Sequence, residues 1–269
     1  MARLLFLCSF LFLSSIEAKT PLMHVLLVGD SADKIIGDDV KVDLSRMRSS
    51  LAAIARTIGY EHRITTLKEK KASVTHIKKW FLALPKNSSD IVFFFYTGHG
   101  SRDIKEKRWP VLDMKKRGQL ASMAIIRFLR KRPQKFAAVL INACNSADIQ
   151  RHEPPLLGER RIAKSLVPIV PYTISLPGIK TLFLHPKEML IATSSQPGED
   201  SFSGYEDEVA GISSGGDFTT SFLLALQECC RKKEVTWQEV FDRISTLVEN
   251  QGQNQHPIFK IEQTASYNK

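Results

Sequence analysis

The sequence is short of cysteine, of paired metal-ligand spacings and of long apolar runs, and each shortage excludes a class of protein. It carries four cysteines in 269 residues. Cys8 lies in a leader described below, which leaves Cys144 and the adjacent pair Cys229 and Cys230, a poor basis for a disulfide framework. No Cys-x-x-Cys or His-x-x-x-His pair occurs, so a structural zinc site has no starting point. Glycine and proline number 14 and 12, too few for collagen-like or low-complexity chains, and no internal repeat is present. Beyond the leader no apolar segment reaches membrane-spanning length, so stable membrane insertion is not expected. Lys+Arg exceed Asp+Glu by 38 to 28, a net charge of +10. The basic residues are not interleaved with aromatics in stripes, so the excess reads as a solvated basic surface and not as a nucleic-acid interface.

What is present is ordinary for a globular domain, with 43% hydrophobic and 25% charged residues. The first 18 residues stand apart. Arg3 gives a positive end, Leu4 to Leu13 an apolar run, and Ser14-Ser15-Ile16-Glu17-Ala18 a small-residue exit. This is the layout of a cleavable signal peptide, and it places the mature chain in the periplasm or outside the cell. Residues 19–264 then read as one domain, with a first part at 19–150, an irregular linker at 151–187, a second part at 188–264 and a tail at 265–269.

Strand and helix patterns alternate. Met23 to Gly29 and Ile91 to Tyr96 are continuous apolar runs, as are Phe136 to Ile141 and Met189 to Thr193. Such runs suit parallel strands covered on both faces. Tyr60 to Leu67 is a further strand candidate. Val40, Leu44, Met47, Leu51, Ile54 and Ile58 repeat at helical spacing and stop at Gly59. Helices are also expected at Val74 to Leu84, Leu120 to Leu129 and Phe218 to Leu226. Another opens at Thr236-Trp237-Gln238-Glu239, a capping box. Pro257 to Ile261 can close the sheet. The alternation predicts an α/β sandwich of three layers, a mostly parallel sheet between helices.

In an open parallel sheet, chemistry gathers beyond the carboxyl ends of the strands. The Ile91 strand runs into Thr97-Gly98-His99-Gly100 and the Phe136 strand into Asn142-Ala143-Cys144-Asn145-Ser146. An imidazole and a thiol therefore reach the same sheet edge, and together they suit nucleophilic acyl transfer. A free thiol is only a few per cent thiolate at neutral pH, so a neighbouring base is needed to take its proton. The backbone N–H groups of Gly100 and Cys144 are candidate oxyanion donors.

Tyr96-Thr97-Gly98-His99-Gly100 and Asn142-Ala143-Cys144-Asn145-Ser146 resemble the His-Gly and nucleophile motifs of the caspase–metacaspase superfamily of cysteine peptidases. Met189 to Gly204, Gly216-Asp217-Phe218-Thr219 and Gln255-His256-Pro257 extend the resemblance in the same order along nearly the whole mature chain. The resemblance implies a six-stranded mixed sheet and a dyad of Cys144 as nucleophile and His99 as general acid and base, hydrolysing peptide bonds. It implies peptide or protein substrates, including the chain itself: Arg160, Arg161 and Lys164 in the linker are candidate self-processing sites. Asn142, Ser194 and Ser195 are candidate substrate contacts.

Two departures matter. Metacaspases usually place an acidic residue where this chain has Asn142. A basic substrate side chain would then need another carboxylate, with Asp38 or Asp39 the nearest candidates, and Asn142→Asp should favour Arg or Lys substrates. The segment after Gly100 is net basic and offers no carboxylate cluster for calcium, so no metal or other cofactor is expected. Glu199 and Asp200 read as a solvated acidic loop. The competing readings are a caspase-fold binding protein without activity and a basic surface-binding protein whose Cys144 and His99 are incidental.

Overall fold

Alternation of buried side chains decides the architecture. In the run Ile91 to Tyr96, Phe93 and Phe95 join one buried cluster while Val92, Phe94 and Tyr96 join another, so this strand is covered on both faces. The computed structural model describes residues 20–103, 105, 108–146, 176–184, 188–207 and 212–263. The leader (1–18), the candidate processing residues Arg160, Arg161 and Lys164, and the tail (265–269) lie outside the described residues.

Along the chain, β1 (Leu22–Gly29) leads to α1 (Gly37–Ile58), β2 (Glu61–Lys68), α2 (Val74–Ala83) and β3 (Ile91–Thr97). Three short strands follow: β4 (Gly100–Ser101), β5 (Val111–Asp113) and β6 (Gln119–Ala121). They precede α3 (Ser122–Arg130) and β7 (Phe136–Asn142). Then come α4 (Pro177–Leu184), β8 (Glu188–Thr193) and the hairpin β9 (Ser203–Asp207) and β10 (Ile212–Gly216). The last elements are α5 (Asp217–Cys229), α6 (Trp237–Glu249) and β11 (Ile258–Gln263).

The main sheet has six strands in the order β11-β8-β7-β3-β1-β2. Only β11 runs antiparallel to its neighbour, so the sheet is mixed and mostly parallel, as expected. The helices α1, α4, α5 and α6 pack on one face, and α2 and α3 with Trp109, Leu112 and Met114 on the other. Each fully buried large apolar side chain contributes about 1.5–3 kcal/mol, so this two-sided burial outweighs any single polar contact.

Local chemistry sets the element ends. Gly59 ends α1 in the left-handed region (φ 77°), where its N–H reaches the Ala55 and Arg56 carbonyls. Ser73 caps α2 by accepting the His76 N–H. Thr236 and Glu239 form the reciprocal capping box read from the sequence.

Three features depart from the sequence reading, one of them the hairpin of β9 and β10, where no strand was read. The end of the stretch taken as irregular is the helix α4, whose Ile179, Leu182 and Phe183 are buried. Pro177 is tolerated there because a first-turn N–H has no intrahelical partner. The strands β4, β5 and β6, which form a small separate sheet, were not expected from the sequence. At two or three residues each they show no readable periodicity. Among the described residues no helix is long and apolar enough to cross a membrane.

Candidate active site

The parallel register of β3 and β7 pairs Thr97 with Asn142. His99 and Cys144 each follow two residues later, beyond the carboxyl ends of adjacent strands that lie about 4.8 Å apart. The Gly98 N–H donates to the Asn142 carbonyl at 3.1 Å, extending the pairing one step past the strand end. Gly98 sits at φ 154°, and a Cβ there would lie 2.9 Å from the Tyr96 hydroxyl oxygen. That hydroxyl stands 2.7 Å from the His99 carbonyl oxygen and braces the turn from below.

Gly100 is required by close approach. A Cβ on it would meet the Cys144 carbonyl oxygen at 2.6 Å and the Ala143 Cβ at 2.7 Å. The Asp113 N–H donates to the His99 carbonyl at 3.0 Å, so the facing residues Gly100 and Leu112 are a non-hydrogen-bonded pair. In such a pair the N–H points away from the partner strand. The Gly100 N–H is thus turned out of the ladder.

His99 is largely enclosed. Its Nε2 lies 3.1 Å from the Asp33 Oδ2, in the connection between β1 and α1. The same carboxylate pairs with Lys115. Burial would raise the Asp33 pKa, but Lys115 and the Ile35 and Ile36 N–H groups overcome it and hold the carboxyl well below the usual range.

Cys144 is part-buried, and its Sγ accepts the Ser201 N–H at 3.3 Å. Burial pushes the thiol up to about 11, with the Ser201 N–H opposing and Asp200 reinforcing the rise. In this arrangement burial favours the neutral Cys144 thiol over the thiolate.

The segment 194–203 packs around Cys144 and its backbone. Ser194 Oγ accepts the Ala143 N–H at 3.0 Å and also lies 3.0 Å from the Ala143 carbonyl oxygen, to which Ser195 Oγ donates at 3.0 Å. Both serines are fully buried. This corrects the expectation that Ser194 and Ser195 contact substrate: their hydroxyls clasp the backbone beside Cys144. Glu199, expected in a solvated loop, is instead enclosed, accepting from Gln196 and from the His256 backbone and lying 2.6 Å from the His256 Nδ1. Asp200 accepts from Ser146 at 2.6 Å. Gln255 ties the segment to the last strand, donating to the Ser194 carbonyl at 3.0 Å and accepting the Phe202 N–H at 2.8 Å.

Asn142 also departs from expectation. Its Nδ2 donates to Asp43 at 2.9 Å and its Oδ1 accepts from Ser201 at 2.8 Å. Gly216 lies against it so closely that a Cβ would overlap the amide. With both ends of the amide engaged, Asn142 does not present itself to a substrate side chain. The carboxylate beside it is Asp43, and neither Asp38 nor Asp39 fills that place. Asp38 is exposed and paired with Lys41, while Asp39 accepts from Ser203 at 2.7 Å.

Asp33, Asp43, Lys115 and Ser201 were missed in the sequence. For Asp33 a signal existed, since it follows β1 at the same sheet edge as His99 and Cys144. Among the described residues no group of three or more His, Cys, Asp or Glu side chains is placed to hold a metal ion.

Comparison with known proteins shows the family and the fold. Residues 39–267 match the family of the caspase domain, peptidase family C14. No curated protein sequence matches the chain. Among solved structures, caspase-1 of Spodoptera frugiperda is similar at a TM-score of 0.51 and 13% identity, covering 91% of this chain and 87% of that one. A Geobacter sulfurreducens protein is similar at a TM-score of 0.54 and 17% identity, covering 92% of this chain and 95% of that one. At such identities the likeness is one of fold.

Proposed function

The chain belongs to the caspase-domain family of peptidases, and on that premise we propose that it is an exported cysteine endopeptidase with Cys144 as nucleophile and His99 as general base and acid. The observation that carries this reading is the β3–β7 register, in which Thr97 faces Asn142 and the imidazole and thiol follow at equal distance on neighbouring strands. His99 takes the proton from the Cys144 thiol as sulfur attacks the scissile carbonyl carbon, forming the S–C bond. The carbonyl oxygen gains negative charge and is met by the backbone N–H groups of Gly100 and Cys144. The tetrahedral species collapses with cleavage of the C–N bond, and His99 returns its proton to the leaving amine. Water, deprotonated by His99, then attacks the thioester carbon, and the protonated thiol leaves with release of the carboxylic acid.

The Ser201 N–H on Cys144 Sγ favours the thiolate, while burial of the sulfur opposes it and leaves the proton for His99 to take. The same contact is what a second reading, a caspase-fold binding protein without turnover, would draw on. A peptide-library cleavage profile of the mature protein beside its Cys144→Ala form decides between them. Cleavage that depends on Cys144 supports the peptidase; no cleavage and no labelling by a thiol-reactive peptide electrophile supports the binding protein. Peptides and proteins are the proposed substrates, with the chain itself among them through cleavage near Arg160, Arg161 or Lys164. The leader at 1–18 is proposed to direct export.

A further inference from the structure

Asp33 has the geometry of a built support. Its Oδ1 accepts the Ile35 N–H at 2.8 Å and the Ile36 N–H at 3.2 Å, which fixes the carboxylate plane at the start of α1. Its Oδ2 is thereby directed at His99 Nε2, 3.1 Å away. The Asp33 side chain is 1% exposed and the His99 side chain 13%, so water competes weakly for either group. An exposed ion pair between flexible side chains would contribute little; this one is enclosed and held from behind by backbone donors.

We propose that Asp33 is a positioning residue for the imidazole, so that the thiol and imidazole work as part of a Cys144–His99–Asp33 chain. A carboxylate can only accept, so Nε2 must carry the hydrogen in this contact. Nδ1 then carries the lone pair that removes the thiol proton. When the ring becomes doubly protonated, Asp33 also lies where the new positive charge is stabilised. The family resemblance assigns only a dyad, and the sequence marks Asp33 by no more than its place after β1, at the sheet edge it shares with His99 and Cys144.

Lys115 tempers the arrangement. It pairs with the same Oδ2 from the 3-10 turn 115–117, so the imidazole faces a carboxylate already partly neutralised. Among the described residues, the charged and titratable groups placed near His99 include Asp33 from the β1–α1 connection, Lys115 from this turn, and the Cys144 thiol after β7. The neighbouring Asp30 is neutralised by Arg117. Loss of Asp33 should therefore make the ring less basic, and loss of the Lys115 charge should make it more so.

This inference rests on the peptidase reading, and its test separates the two. Asp33→Asn keeps an oxygen for the Ile35 and Ile36 N–H groups, so the turn should survive; circular dichroism and the unfolding midpoint check this. Histidine NMR of the full mature chain, with His99 assigned by its loss in His99→Gln, gives tautomer and titration without any turnover. The wild type should show the Nε2–H tautomer. In Asp33→Asn the His99 titration should fall by about one pH unit or more, and in Lys115→Met it should rise. On a cleaved reporter peptide, Asp33→Asn should lower kcat by about 10²-fold or more while KM stays within about twofold, and the acid limb of the kcat/KM profile should move with the His99 titration. Unchanged tautomer and titration in Asp33→Asn overturn the proposal, as does an unchanged kcat. If the wild type cleaves nothing while the titration moves as stated, the peptidase reading fails and the His99–Asp33 pairing stands.

Discussion

The Nδ2 of Asn142 donates to the Oδ2 of Asp43 at 2.9 Å, joining the end of β7 to the inner face of α1. The same Oδ2 accepts from Thr97 Oγ1 at 2.7 Å, and Oδ1 accepts the Gly216 N–H at 3.0 Å. One buried carboxylate thus anchors the residues two positions before His99 and Cys144, together with the strand that leads into α5. Burial pushes its pKa up to about 6, against the pull of the Thr97, Gly216 and Asn142 donors. This side chain reinforces the spacing of the two catalytic candidates that the β3–β7 register sets.

Removing that anchor should be expensive. Asp43→Ala leaves three buried donors without an acceptor, and a loss of about 3–5 kcal/mol in unfolding free energy is expected from urea denaturation at pH 7. A loss under 1 kcal/mol would show that water or a rearranged neighbour replaces the carboxylate.

The same group should be visible in the pH dependence of stability. Its folded pKa of about 6 lies above the ordinary value of 3.8. The folded state then holds the proton more tightly than the unfolded chain, so the stabilisation is fully present below about pH 4 and is lost as pH rises to about 6. The amount is on the order of 3 kcal/mol, two pH units at about 1.4 kcal/mol each. Asp43→Asn should lack this slope, and parallel stability curves for the two proteins between pH 4 and 7 would contradict it.

Asn142→Asp should not confer preference for Arg or Lys. The new carboxylate would sit against Asp43, where two neighbouring acids cannot both ionise cheaply. The expected result is a loss of about 1–3 kcal/mol at pH 7, recovered on acidification to pH 4. The ratio of turnover on matched Arg and Gln reporter peptides should stay within twofold. A tenfold rise in that ratio would mean Asn142 does face a substrate side chain.

Cys144→Ala should abolish peptide cleavage and His99→Ala should lower it by at least about 10²-fold, with the fold retained in both. Alkylation of Cys144 in the resting protein by iodoacetamide should be slow at pH 7 and rise with pH toward 11, since the burial-raised thiol ionises only there. Fast, pH-independent labelling near neutrality would indicate a preformed thiolate.

Gly100→Ala should separate the two strand ends. Its Cβ would lie 2.6 Å from the Cys144 carbonyl oxygen, and backbone cannot yield as a flexible side chain can. A stability loss of about 1–3 kcal/mol and at least a tenfold fall in kcat are expected, read from denaturation and reporter turnover. Added chelator or calcium should leave wild-type turnover unchanged.

Much was legible in the chain itself, because some signals are local. Phe93 and Phe95 against Val92, Phe94 and Tyr96 state a strand buried on both faces, and Val40 to Ile58 states a helix with one inward stripe. Thr236 and Glu239 name their own helix start. The strand-end positions of His99 and Cys144 followed from the same rule, since parallel strands deliver their carboxyl ends to one edge. The strands β4 to β6 were not legible, as they carry too few residues to show a period, and the helix α4 was hidden by its Pro- and basic-rich surroundings, with Pro177 in its first turn.

Polar burial belongs to the tertiary structure. Asp33 and Asp43 look in sequence like any carboxylates of a loop or a helix, although Asp43 lies three residues after Val40 and four before Met47 and so shares their inward face. Whether an inward carboxylate is tolerated depends on which donors arrive opposite it, here Thr97, Asn142 and Gly216, which are 54, 99 and 173 residues away. Ser194 and Ser195 turned from substrate contacts into clasps on Ala143 for the same reason. Apolar periodicity fixes which face of an element is buried; only the packed structure decides which polar groups are buried together, because their cost or benefit is set by partners distant in the chain.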